Sequence, residues 1–384
     1  MSENAPRAEN ASFETCATRL FQVIEYRYSQ KKIHLPRTQK LHFYLQQHFS
    51  DTRLFPLPLS HSGKLKLLIL RFSSIGDIVL TSPVVRCLKK QLGAEVHFLT
   101  KSSFTSILEP NPYIDQVFSF QKEISPKLVA QLKSEGYDEV IDLHHNLRSL
   151  RLKRSLGLPS HAFDKLNWEK WLLINFKIDR MPKIHIVDRY LATVRHLGVT
   201  NDGAGLDYFI PETETLDQVE LPKEPFIAFA IGATHATKRL PEEKILEICQ
   251  RSTVPVVLLG GKTEQEVGKR VAKASGPQVY NLCARLSLHQ SAAVVRASSK
   301  VITHDTGLMH IAAALRKPIL SIWGSTVPKL GMWPLYPTGM DLNTSVEVTG
   351  LKCRPCSKIG FDRCPKGHFK CMRSIEVERI PLND

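Results

Sequence analysis

The sequence predicts an α/β fold of two facing, doubly wound, Rossmann-like domains with a cleft between them, and three observations predict it. From Leu67 onward, short runs of Val, Ile, Leu and Phe alternate with amphipathic segments of helix length, the signature of a parallel sheet covered on both faces. Near Pro211 that alternation stops in the acidic stretch "PETETLDQVELPKEP", and it then begins again. The length, 384 residues, exceeds the roughly 250 to 300 at which a single core stops growing.

In chain order, the first series reads "KLLILRF", "SPVVRCLKKQL", "EVHFLT", "SFTSILE", "QVFSF", "SPKLVAQLKSEG" and "DEVIDLH". The second reads "FIAFAIGA", "PEEKILEICQRS", "VPVVLLGG", "EQEVGKRVAKA", "QVYNL", "LHQSAAVVRAS", "KVITHD", "LMHIAAALR" and "PILSIWG". The expected domains are therefore residues 65–215 and 216–384, with the carboxyl ends of both sets of strands facing a ligand cleft. Residues 1–64 fit neither series. They carry 9 Lys or Arg against 5 Asp or Glu and predict one or two basic, aromatic-rich helices, either packed on the first domain or contacting a membrane surface or partner.

The formal net charge of +15 and pI near 9.4 call for anionic partners: a nucleotide, a phosphorylated glycan, a membrane surface or nucleic acid. Nothing in the chain matches an RNA- or DNA-binding motif, so nucleic acid is not expected. No apolar run approaches the roughly 18 residues of a membrane span, and the polar start "MSENAPRAEN" is no signal peptide. A cytoplasmic protein is expected. Its scattered Cys16, Cys87, Cys249 and Cys283 would then be reduced thiols. Cys353, Cys356, Cys364 and Cys371 follow a C-x2-C-x7-C-x6-C pattern with His368 nearby, which permits either a zinc site or a plain thiol cluster.

The chemistry-bearing loops lie at strand ends. In "LLILRFSSIGDIVLTSP" a buried strand breaks at a Ser-Gly loop, where Ser74 and Gly76 offer a donor and close approach. Asp77 stands at the helix start, as a general base or as a cap. In "VITHDTGLMHIAAAL", Asp305, Thr306 and Gly307 turn into a helix whose amides can receive an anion, with His310 one turn on. Asp305 is otherwise an N-cap and His310 a core histidine. "GATHATKRLPEEKI" places Thr234, Thr237 and Lys238 after a strand, so the Lys238 ammonium either meets a pyrophosphate or is simply solvated. Glu264 of "LLGGKTEQE" suits a ribose hydroxyl or a cap. A carboxylate across a cleft from phosphate loops suits proton abstraction from an incoming hydroxyl. From His145 to Gly198 there are 11 Lys or Arg against 4 Asp or Glu. Within that stretch Arg148, Arg151, Lys153 and Arg154 either bind an acidic acceptor or form a solvated helix face.

These motifs, "RFSSIGDIVLTSPVVRCLK", "TKRLPEEK", "GGKTEQE", "HDTGLMHIAAAL", "KPILSIWGST" and "CRPC…RCPKGHFKCM", resemble glycosyltransferase family 9, the lipopolysaccharide heptosyltransferases, over roughly residues 65–378. The resemblance implies a GT-B fold, an ADP-heptose donor and inverting transfer; the expected acceptor is the lipopolysaccharide core at the cytosolic face of the inner membrane, and the basic stretch suggests that this lipid-linked glycan is acidic. It implies no cofactor and no required metal. Asp77 would be the base, Lys238 a donor-phosphate contact, and Asp305, Thr306, Gly307 and His310 the donor motif, with Glu264 a looser match to a ribose ligand. The 1–64 leader is not part of the family's usual pattern. Another nucleotide-sugar transferase, an epimerase on the same scaffold and a non-catalytic binder are the rival readings.

Overall fold

The computed structural model describes residues 64–382. The expected basic helices before residue 64 and Cys16 lie outside the described residues.

The first sheet holds β1 (Lys66–Leu70), β2 (Glu95–Lys101), β3 (Gln116–Phe120), β4 (Glu139–Asp142) and β5 (Ser160–Ala162) in the order β3-β2-β1-β4-β5, all parallel. Its helices are α1 (Ile75–Val79), α2 (Ser82–Leu92), α3 (Thr105–Leu108), α4 (Pro126–Ser134), α5 (Leu147–Leu156), α6 (Asn167–Phe176) and α7 (Ile186–Leu191), followed by a 3-10 turn at Ala192–Leu197. The central strands are buried on both faces, which is why β1 reads as an unbroken apolar run. α2 begins with Pro83 in its first turn and ends at Gly93, whose φ of +62° gives the left-handed cap that glycine favours.

The second sheet runs β11-β10-β9-β6-β7-β8, again all parallel: β6 (Ile227–Ala230), β7 (Val256–Leu259), β8 (Val279–Asn281), β9 (Lys300–His304), β10 (Ile319–Trp323) and β11 (Asn343–Glu347). Between its strands lie α8 (Glu242–Arg251), α9 (Gln265–Ser275), α10 (Leu288–Ala297) and α11 (Gly307–Ala314), with α12 (Lys370–Arg373) near the end. The stretch 211–225 contains neither helix nor strand. Two edge strands, β5 and β11, have no counterpart in the apolar pattern. β5 is three exposed residues and β11 is half exposed, so neither needed a hydrophobic run.

One apolar cluster runs from Leu67, Ile69 and Val96 of the first sheet through Tyr190 and Leu206 to Ala228, Val257 and Val301 of the second. On its flank Arg86 of α2, 2% exposed, pairs with Asp202 at 2.7 Å and with Asp207. Arg86→Ala strips the cation from this pair and leaves two partly buried carboxylates facing each other. A loss of about 3–5 kcal/mol of folding stability is expected, read from urea unfolding midpoints; a loss under about 1 kcal/mol would mean that the pair contributes little.

Candidate functional site

In doubly wound sheets the ligand crevice opens where strand order reverses. Here those points are β1/β4 and β6/β9, and the loops leaving these four strands hold most of the residues singled out above.

After β1 the chain turns through Ser73 and Ser74 into α1, with Ser74 as N-cap and Asp77 three positions in. The Ser74 backbone N–H and hydroxyl donate to Asp77 Oδ2 at 3.2 and 2.8 Å. Arg71 Nη2 lies 2.7 Å from Asp77 Oδ1. Arg71 also donates to the carbonyls of Ser73 and Leu143 and to the Tyr190 hydroxyl, so one guanidinium ties the β1 and β4 loops together. Burial alone would raise the Asp77 pKa, but the Arg71 charge, the two Ser74 hydrogen bonds and His310 outweigh it and hold the carboxyl below its ordinary 3.8. Asp77 thus caps α1 and also presents an ionised carboxylate whose side chain remains 21% exposed.

α11 faces α1 directly. A Cβ on Gly76 would lie 2.7 Å from His310 Cδ2 and 3.4 Å from Gly307 Cα, and a Cβ on Gly307 would lie 2.6 Å from Ile75 Cγ2. Only glycines allow this approach, and it brings the helix that carries Asp77 up to the one that carries Gly307 and His310. Thr306 is the N-cap of α11, yet its side chain makes no capping hydrogen bond, which leaves the first-turn amides free of a side-chain cap. His310 is 2% exposed and its Nδ1 has no hydrogen-bond partner among the described residues. Burial pulls its pKa down to about 4, so the ring is neutral at pH 7.

Lys238, in the 3-10 turn Ala236–Lys238 after β6, sits with Nζ 2.6 Å from Asp305 Oδ2 and donates to the Asp305 carbonyl at 3.0 Å. Thr326 donates to the same carboxylate oxygen. Lys238, Asp305, Thr306, Gly307 and His310 are therefore one group, beside the mouth of α11. Thr234 is exposed in the turn before them. Thr237 is 2% exposed, and its hydroxyl is engaged by Ser325 at 2.9 Å and by the Phe361 backbone at 2.8 and 3.1 Å. It secures the loop to the chain's last segment rather than facing the cleft. Glu264, 6% exposed, caps its turn through the Gly261 N–H at 3.0 Å and pairs with Arg239 at 2.9 Å, packed close under Gly232.

Arg148 and Arg151 of α5 line a cavity of about 590 Å³ together with Asn146 and Leu147. Arg148 also lies over the Phe120 ring, at 5.6 Å. Lys153 is 2.9 Å from the fully buried Asp142, and Arg154 is exposed. Other cations gather nearby: Lys165 and Lys170 feel the Asp77 charge, Lys358 acts on both of these lysines, and Arg189 acts on Lys170. Burial and then the like charges of Arg189, Lys358 and Lys165 lower the Lys170 pKa to about 8, with Asp77 opposing. Burial, Arg71 and Lys358 likewise lower that of Lys165. Sequence reasoning did not single these four out. Lys170 sits inside the apolar "NWEKWLLINF", and Lys358 comes from the cysteine-rich tail; the charge excess of residues 145–198, which includes three of the four, was the available signal. Beyond Lys170, α6 exposes Trp168 and Trp171, stacked at 5.1 Å, and Phe176, 5.0 Å from Trp171.

The terminal thiols are free, with Cys353 Sγ 3.9 Å from His368 Nε2 and Cys356 donating to the Cys353 carbonyl.

The family model described as "Glycosyltransferase family 9 (heptosyltransferase)" matches residues 126–360. The chain is 28% identical to lipopolysaccharide heptosyltransferase 1 of Pseudomonas aeruginosa over 77% of its own length and 86% of that protein. It is 25% identical to the Campylobacter coli enzyme of the same name, over 82% and 97%. Among solved structures, a family 9 glycosyl transferase from Veillonella parvula superposes with a TM-score of 0.65 at 22% identity, covering 82% of this chain and 94% of that one. The E. coli ADP-heptose lps heptosyltransferase II gives 0.61 at 21%, covering 81% and 98%. The fold is GT-B.

Proposed function

We propose, from the premise that the chain belongs to glycosyltransferase family 9 and is a glycosyltransferase, that it transfers heptose from ADP-heptose to the inner core of lipopolysaccharide, with inversion. The observation that carries this reading is the contact of α1 with α11, which sets an ionised carboxylate beside a helix mouth and a lysine suited to a diphosphate. In the proposed step Asp77 accepts the acceptor hydroxyl's proton as the oxygen bonds to the anomeric carbon and the bond to the ADP oxygen breaks. Lys238 and the first amides of α11 stabilise the charge that develops on the departing ADP. A carboxylate this weakly basic accepts the proton late, once the hydroxyl has been acidified by bond formation. Turnover assays with ADP-, UDP- and GDP-sugars test the donor assignment, and a preference for a UDP- or GDP-sugar would overturn it.

The acceptor assignment rests on the cations gathered about Lys165 and Lys170, which an epimerase working on the donor alone has no use for. Lys165, Lys170, Arg189 and Lys358 are proposed to receive the acidic groups of the acceptor, with Arg148, Arg151, Lys153 and Arg154 as its outer contacts. Lys170 gives this a pH signature. Its charged form is the one that binds an anion, so the apparent KM for acceptor should climb as pH rises through about 8 while that for donor stays level. Lys170→Met should raise the acceptor KM at pH 7 and flatten the climb. A profile that persists unchanged in this variant would move the titration elsewhere. Reversing charge at Arg148 and Arg151 should raise the same KM, less so at high salt.

No helix among the described residues is long and apolar enough to cross a membrane. The proposed location is the cytosolic face of the inner membrane, held by peripheral contact. The exposed Trp168, Trp171 and Phe176 suit a membrane interface, where aromatic rings settle at headgroup depth, and Lys177, Arg180 and Lys183 follow them in the chain. Co-sedimentation with anionic vesicles, lost on Trp168→Ser/Trp171→Ser, tests the contact.

A further inference from the structure

A second cluster of chemistry-bearing side chains lies at the other end of the first sheet. Glu139 is the first residue of β4, which runs toward the cleft and reaches it at Asp142. Its carboxylate is 9% exposed, and among the described residues its ion-pair partners are two histidines rather than a lysine or arginine. His161 of β5 places Nε2 3.2 Å from Oε1, and His196 of the Ala192–Leu197 turn places Nε2 2.9 Å from Oε2. The two imidazoles stack, with centroids 3.9 Å apart and planes 19° apart. All three residues offer a ligand atom within 4.8 Å of the others, the one such group of three among the described residues.

Two features make this more than a hydrogen-bonded cluster. Glu139 Oε1 has no hydrogen-bond partner, although it is buried and directed at the His161 ring. The carboxylate is also nearly buried, and its ion-pair partners among the described residues include no lysine or arginine to supply a fixed countercharge. A divalent cation resolves both conflicts at once. We propose that Glu139, His161 and His196 bind a divalent transition-metal ion, for which Zn²⁺ is the natural match to two imidazoles and a carboxylate. The solvent side of His161 and His196, 47% and 35% exposed, leaves room for water to complete the shell. The ion would clamp the edge strand β5, three exposed residues long, to β4 and the turn behind it. It would act on stability and stand apart from the transfer step.

The test is calorimetric titration of the chelator-treated full-length protein with Zn²⁺, alongside thermal unfolding. One equivalent should bind, with Tm rising by about 3 °C when free Zn²⁺ is about 100-fold above Kd. His161→Ala, His196→Ala and Glu139→Gln should each weaken binding by about 10-fold or more, with unchanged circular dichroism and unchanged transferase rate. Cys353→Ser/Cys356→Ser should leave this equivalent in place. The proposal fails if no Zn²⁺ binds, or if binding survives His161→Ala/His196→Ala and disappears with the cysteine change.

Discussion

Asp77→Asn is expected to lower kcat by about 10²- to 10⁴-fold, the range typical of losing a general base, while donor affinity stays near that of the parent. The substitution is nearly isosteric, and an amide oxygen still accepts from the Ser74 N–H, so α1 keeps its cap. Arg71 loses its carboxylate partner but retains the Ser73 and Leu143 carbonyls and the Tyr190 hydroxyl, which should hold the loop in place. Because the Asp77 pKa is depressed, the base is ionised throughout the neutral range, and protonation removes activity only below its ordinary 3.8. The parent enzyme's kcat should therefore show no acid limb attributable to Asp77 above about pH 4. Single-turnover rates with both substrates saturating give the first result directly; a decrease of less than about 10-fold would take Asp77 out of the proton transfer.

The second large effect concerns Lys238. At about 4 Å and an effective dielectric of about 20, one cation on a diphosphate is worth up to about 4 kcal/mol, or several hundred-fold in rate where that gain falls on the leaving group. The structure adds a term that the isolated residue does not suggest. Asp305 lies 2.6 Å from Lys238, so Lys238→Ala leaves a carboxylate, 12% exposed, without its cation beside the proposed phosphate site. The variant should lose roughly 10²- to 10³-fold in kcat/KM and bind ADP more weakly. Adding Asp305→Asn should restore part of that loss, because removing the stranded charge relieves the repulsion. If the two changes simply multiply, Lys238 and Asp305 do not act as a pair in donor binding.

What the sequence made legible was local. The loop after β1 and the turn into α11 are contiguous stretches whose glycines, hydroxyls and acids carry their meaning within about ten residues, and strands buried on both faces advertise themselves as apolar runs. What it concealed was partnership across distance. Arg71 stood within the first motif, but only the fold turns it toward Asp77 and Leu143 together. Thr237 read as one more hydroxyl in a donor loop, and the backbone of Phe361 occupies it. Glu264 was open between ribose ligand and cap; the fold makes the cap visible, and its role toward ribose stays with the proposal. Lys165, Lys170 and Lys358 gather from α6, its approach and the tail, and no spacing rule joins them.

The hold of Phe361 on Thr237 bears on when the protein becomes competent during its own synthesis. Both sheets are complete once β11 has emerged at Glu347, and at that stage a nascent chain has every strand found among the described residues. The turn that carries Lys238 is still missing its clasp: the Thr237 N–H awaits the Phe361 carbonyl, and the Thr237 hydroxyl awaits the Phe361 N–H. Completion of this loop is thus deferred until the segment around Phe361 has left the ribosome and folded back against Thr237. A polypeptide halted just after β11 would carry both sheets with the lysine's loop untied, and the cell would hold a folded scaffold before it held a finished version of the proposed donor site.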